Sequence, residues 1–108
     1  MPAPKNLFAG LPERLEAERF DEVLAAPGLR IERIVSLGQT TPKGQWLVQD
    51  QGEWVIVLWG AATLLFEGEA EPVRLGAGDH LHIPAGTRHR VEWTDPNRVT
   101  VWLAVHHG

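Results

Sequence analysis

The chain has 108 residues, a formal net charge of −4 and no cysteine. That length suits one domain with a modest core, and the missing cysteine excludes disulfides and thiol chemistry. Lys and Arg number 10 against 14 Asp and Glu and form no basic run, which argues against nucleic acid. No apolar stretch approaches the ~18 residues of a membrane span, and the opening Met-Pro-Ala-Pro-Lys-Asn has no hydrophobic signal region, so the expectation is a cytoplasmic protein.

Residues 1–11 are rich in Pro and Gly and read as an extended arm. Pro12 suits the first turn of a helix, Glu13 and Glu16 suit its N-terminal dipole, and Leu15, Phe20, Val23 and Leu24 give a rough apolar stripe. Pro27-Gly28 would stop that helix. The division expected is an arm and short helix over 1–28 and a β-barrel over 29–108. From Leu29 onward the pattern is short strands between turn residues: Leu29 to Leu37, Trp46 to Gln49, Glu53 to Trp59, Thr63 to Phe66, Val73 to Leu75, His80 to Ile83, Arg88 to Trp93 and Val99 to His106. Many short strands separated by Gly/Pro turns indicate an antiparallel sandwich or barrel. The fold class is therefore all-β, with one short N-terminal helix.

Gly78, Pro84, Gly86 and His89 stand at meaningful spacings. Gly78-Asp79 turns the chain into a strand. Pro84-Ala85-Gly86 makes a tight corner, proline fixing φ and glycine supplying freedom. His89 then opens the next strand. This segment resembles the second motif of the cupin superfamily: Gly, five residues, Pro, one residue, Gly, two residues, His, three residues, Asn. Only the last position departs, with Trp93 in place of Asn. Glu53 and Gly60 have the Glu-to-Gly spacing of the first cupin motif, but its two histidines are missing. They would fall at Leu47 and Gln49, or at Trp46 and Val48. The resemblance spans residues 29–106 and implies a double-stranded β-helix, or jelly-roll, barrel. It also implies a homodimer. In the small bacterial barrels that the chain is similar to, polar or His residues often stand where this one has Leu37, Leu47, Val48 and Gly86.

A complete site of that family offers three imidazoles and a carboxylate to one divalent ion (Fe, Mn, Ni, Cu or Zn). Here the resemblance supplies Glu53 and His89, as ligands or as acid–base groups, with Gln49 and His82 as further candidate ligands. His80 and His82 share one strand face, and the sequence leaves open which face looks inward. His106 and His107 read as solvent-facing at the chain end. The five Trp in a chain without Tyr suggest large rigid surfaces. Strand parity places Trp59 on the face of Glu53 and Trp93 on the face of His89, with Trp46 near the entrance, so these three are candidates to line a small-molecule pocket. The alternative is a barrel packed solid by its own side chains, with His89 a hydrogen-bonded core residue and Glu53 a cap at the rim. Three functions follow: a metal-dependent enzyme, a metal-free binding or sensor barrel, or a barrel remodelled by divergence or design around a new pocket.

Overall fold

Pro27 and Gly28 make a hairpin turn rather than a helix stop. Proline presets φ, and Gly28 takes φ 72°, a left-handed conformation that side chains with a Cβ disfavour. The turn joins β1 (Arg19–Ala26) to β2 (Leu29–Ser36), with Ala26 opposite Leu29 and Arg19 opposite Val35. The computed structural model describes residues 2–108, and among them there is no helix. The helix expected from Pro12 onward is thus corrected: Phe20, Val23 and Leu24 of its apolar stripe lie in an edge strand, because β2 offers a ladder to residues 19–26 that a lone short helix in water lacks.

The remaining strands are β3 (Gly52–Trp59), β4 (Ala61–Phe66), β5 (Val73–Gly76), β6 (His80–Ile83), β7 (His89–Thr94) and β8 (Thr100–His107). Every pairing is antiparallel. One sheet runs β1-β2-β8-β3-β6 and the other β5-β4-β7. The two face each other as a jelly-roll barrel. Inward residues Val55, Val57, Leu64, Leu75, Ile83 and Trp102 are all 3 % exposed or less and form the core between the sheets. No helix of the described residues is long and apolar enough to cross a membrane.

The expected strand Trp46 to Gln49 is an irregular segment held alongside β7. It makes a single bridge, Leu47 with His89. The Arg90 guanidinium straps the segment down by donating to the carbonyls of Thr41, Pro42 and Gln45 at 3.0, 3.3 and 3.2 Å. Gly86 N–H closes the far end on the Gln49 carbonyl at 2.8 Å.

At the other end of the large sheet, Arg33 is buried and holds the N-terminal arm. Its Nε and Nη2 both donate to Asp21 Oδ2, at 3.0 and 2.7 Å. Its Nη1 donates to the carbonyls of Leu7 and Ala9, at 3.0 and 2.6 Å. The Arg33 hydrogen bonds, followed by those of Arg19, hold the Asp21 carboxyl below the ordinary carboxylate range.

Candidate functional site

The barrel lumen is a cavity of about 390 Å3. Its floor is buried, with Val55, Leu64, Ile83, Val91 and Trp102 around a polar cluster. Its mouth is formed by exposed apolar side chains: Phe20 is 56 %, Leu47 43 % and Val48 52 % exposed. The barrel is therefore not packed solid.

Glu53 and His89 are brought together. Glu53 is buried on β3 and His89 is buried at the start of β7, with Glu53 Oε1 3.8 Å from His89 Nε2. Gln49 joins them, its amide donating to Glu53 Oε1 at 2.7 Å. On the other side of Glu53 stands His106. It faces Glu53 across the β3–β8 ladder, with Nε2 4.0 Å from Oε2, and it is only 4 % exposed. Its Nε2 lies 2.8 Å from Glu32 Oε1, and Arg30 Nη2 lies 3.6 Å from the same oxygen.

The hydrogen-bond partners fix both tautomers, because carbonyl and carboxylate oxygens only accept. His89 Nδ1–H donates to the Thr87 carbonyl at 3.0 Å, so that in the neutral ring Nε2 is the bare acceptor, 3.8 Å from Glu53 Oε1. His106 Nε2–H donates to Glu32. Its Nδ1 is buried with no partner among the described residues, so a proton there would be unsatisfied. The lumen thus presents one accepting and one donating imidazole on either side of a carboxylate.

Deeper in the same cavity, Trp102 is 3 % exposed and its indole N–H donates to Ser36 Oγ at 3.1 Å. The Ser36 hydroxyl donates onward to the Glu18 carboxylate. Burial raises the Glu18 pKa above the ordinary carboxylate value, and the Ser36 hydrogen bond opposes that rise.

The other candidates lie elsewhere. His82 is exposed on the outer face of β6, because Leu81 and Ile83 take the inward positions. Trp59 is 51 % exposed and rests edge-on against Phe8. Trp93 is half-buried beneath the Arg74 guanidinium, 5.3 Å from its ring centre. Trp46 is half-buried and outside the cavity lining. The parity argument fails at Trp59 and Trp93 for one reason: each follows a β-bulge. The β3–β8 register slips between Val57 and Trp59, and the β4–β7 register slips where Trp93 and Val91 oppose the consecutive residues Thr63 and Leu64. An extra residue reverses the facing of everything beyond it.

His106 and Trp102 are the functional candidates that sequence reading missed. Both lie on β8, which occupies the centre of the large sheet, and the alternation Trp102-Ala104-His106 marks its inward face.

The donor set does not fit the metal centre that the cupin resemblance implies. Among the described residues no three His, Asp or Glu side chains converge on one point, whereas the family's complete centre takes four ligands. In addition, His106 Nε2 carries the proton that Glu32 accepts, and Gln49 turns its NH2 toward Glu53. Only Glu53 and His89 are left with free lone pairs on one point.

A sequence model of the cupin domain family matches residues 34–106. A Ralstonia eutropha protein with the provisional name mannose-6-phosphate isomerase is 48 % identical, with 98 % of each chain covered and a TM-score of 0.95. An RmlC-like cupin family protein of Methanocaldococcus jannaschii with a double-stranded β-helix fold is 16 % identical over 90 % of this chain and 85 % of its own, TM-score 0.69. A cupin superfamily protein of Desulfitobacterium hafniense is 14 % identical over 90 % and 83 %, TM-score 0.73. These last two likenesses are of fold alone. No curated protein matches the chain.

Proposed function

The chain belongs to the cupin family, and from that premise we propose that its lumen binds a small unphosphorylated organic molecule and offers it acid–base groups rather than a metal. The observation that carries this reading is the arrangement around Glu53: His89 Nε2 on one side and His106, its Nε2–H held by Glu32, on the other, both buried in an open cavity. A bound hydroxyl lying over this cluster would find acceptors in His89 Nε2 and the Glu53 carboxylate. The Trp102 ring and the aliphatic walls suit the apolar side of such a molecule. Groups of this kind, held at hydrogen-bond reach, are what proton transfer between neighbouring substrate atoms needs.

The charge balance of the cavity weighs against a phosphate. Glu18, Glu32 and Glu53 line it, and Arg30 is the single guanidinium among the described residues there, already drawn to Glu32. The provisional name of the Ralstonia protein concerns a sugar phosphate. A phosphate dianion here would face three carboxylates in a partly desolvated space, where like charges repel by several kcal/mol at about 4 Å.

Calorimetric titration with matched neutral and phosphorylated sugars tests this. The neutral member of a pair is expected to bind at least about tenfold more tightly, to quench Trp102 fluorescence, and to lose affinity in Glu53→Gln and His89→Asn. Tighter binding of the phosphorylated member overturns the reading. So does an ion of Fe, Mn, Ni, Cu or Zn that copurifies at one equivalent and is lost in His89→Asn, which would restore the metal-dependent alternative.

A homodimer belongs to the same proposal. Its support is β1, an edge strand of eight residues with one side unpaired and with Phe20, Val23 and Leu24 all about half exposed. Such an edge is a template for a further strand.

A further inference from the structure

His82, displaced from the lumen, has a partner on the outside. Strand β3 runs between β6 and β8; His82 lies opposite Trp54 and His107 lies opposite Gly52. The two histidines therefore flank β3, two residues out of step, on the face turned away from Glu53. Between them Gly52 carries no side chain. A Cβ there would sit 2.7 Å from His107 Cε1 and 3.1 Å from His82 Nε2. The rings close over that gap: their centres are 5.1 Å apart, their planes 23° from parallel, and their Nε2 atoms 3.0 Å apart.

From this we infer that His82 and His107 form a surface chelate for a single divalent ion, Cu(II) or Ni(II) by preference, separate from the lumen. Two imidazole nitrogens bound to one ion lie about 2.0–2.1 Å from it, so at a right angle they stand about 2.8–3.0 Å apart and at a tetrahedral angle about 3.3–3.4 Å. The 3.0 Å between the two Nε2 atoms is short enough for one ion to replace the shared proton, and imidazole pairs take Cu(II) ahead of the other first-row divalent ions, with Ni(II) next before it in that order. Both strands are hydrogen-bonded to β3, so the pair is held in place before an ion arrives, and water fills the remaining positions at this exposed site. His80 takes no part, since its Nδ1 accepts the Trp54 indole N–H at 3.3 Å. Without an ion, the same two nitrogens share one proton as a hydrogen bond.

The test is Cu(II) titration of the tag-free full chain, followed by electron paramagnetic resonance. One equivalent with a tetragonal spectrum and two-nitrogen coupling is expected. His82→Ala and His107→Ala each weaken binding by about tenfold or more; Gly52→Ala also weakens it by forcing the rings apart. His80→Ala and His89→Asn leave it unchanged. Copper binding that survives both His82→Ala and His107→Ala, or that disappears in His89→Asn, overturns the site, as does failure of the wild-type chain to take up one equivalent. None of these outcomes depends on whether the lumen binds an unphosphorylated molecule.

Discussion

Glu18 shows how one partly buried carboxyl ties the lumen to pH. Burial raises its pKa above the ordinary value of 4.5, so the folded chain holds a proton that the unfolded chain releases. Between the ordinary carboxylate value and the raised one, the folded state binds more protons, and stability falls as pH climbs through that window. Glu18→Gln removes the titration. Denaturant unfolding is expected to show a variant more stable than wild type at neutral pH, with the gap closing in acid; a gap that grows in acid would contradict this. The Trp102–Ser36–Glu18 chain means that the same proton should move Trp102 fluorescence. Little of this was legible in the sequence. Glu53 and His89 announce themselves through motif spacing. His106, Glu32 and Glu18 do not, because their meaning comes from strands that are distant in sequence and adjacent in the sheet. A histidine two residues from the end of the chain reads as frayed and solvated until its strand is known to be central.

Among the elements, the barrel strands were legible because each is short, apolar on one or both faces and bounded by Gly, Pro or Asp. Two kinds of feature were not. Bulges in β3 and β7 leave no mark that parity can read, and they turn Trp59 and Trp93 outward. Residues 12–26 hold apolar side chains at spacings that a helix and an edge strand both tolerate, and the tie is broken only by the ladder to β2. The arm before β1 depends on Arg33, whose guanidinium is its clasp to the sheet. Arg33→Ala leaves two carbonyls without their donor and is expected to cost about 2 kcal/mol of stability, the exposed side of Asp21 limiting its share. Limited proteolysis should then cut within residues 2–15 well before the barrel. An arm that resists digestion as firmly as wild type would show that Arg33 does not hold it.

For the molecule as a whole, the family resemblance named the architecture correctly, and the lumen is where the chain departs from it. The polar floor is acidic and ordered by hydrogen bonds, with the two imidazoles locked into opposite tautomers by Thr87 on one side and Glu32 on the other. A metal donor set needs both Nε2 atoms bare, whereas the proposed acid–base cluster needs one bare and one protonated. The most direct measurement is the 15N nuclear magnetic resonance spectrum of histidine-labelled protein at neutral pH, assigned by His89→Asn and His106→Asn. The account predicts His89 protonated at Nδ1 and His106 at Nε2, both unmoved by chelator. Both rings bare at Nε2, with signals that shift when metal is stripped or added, would contradict it.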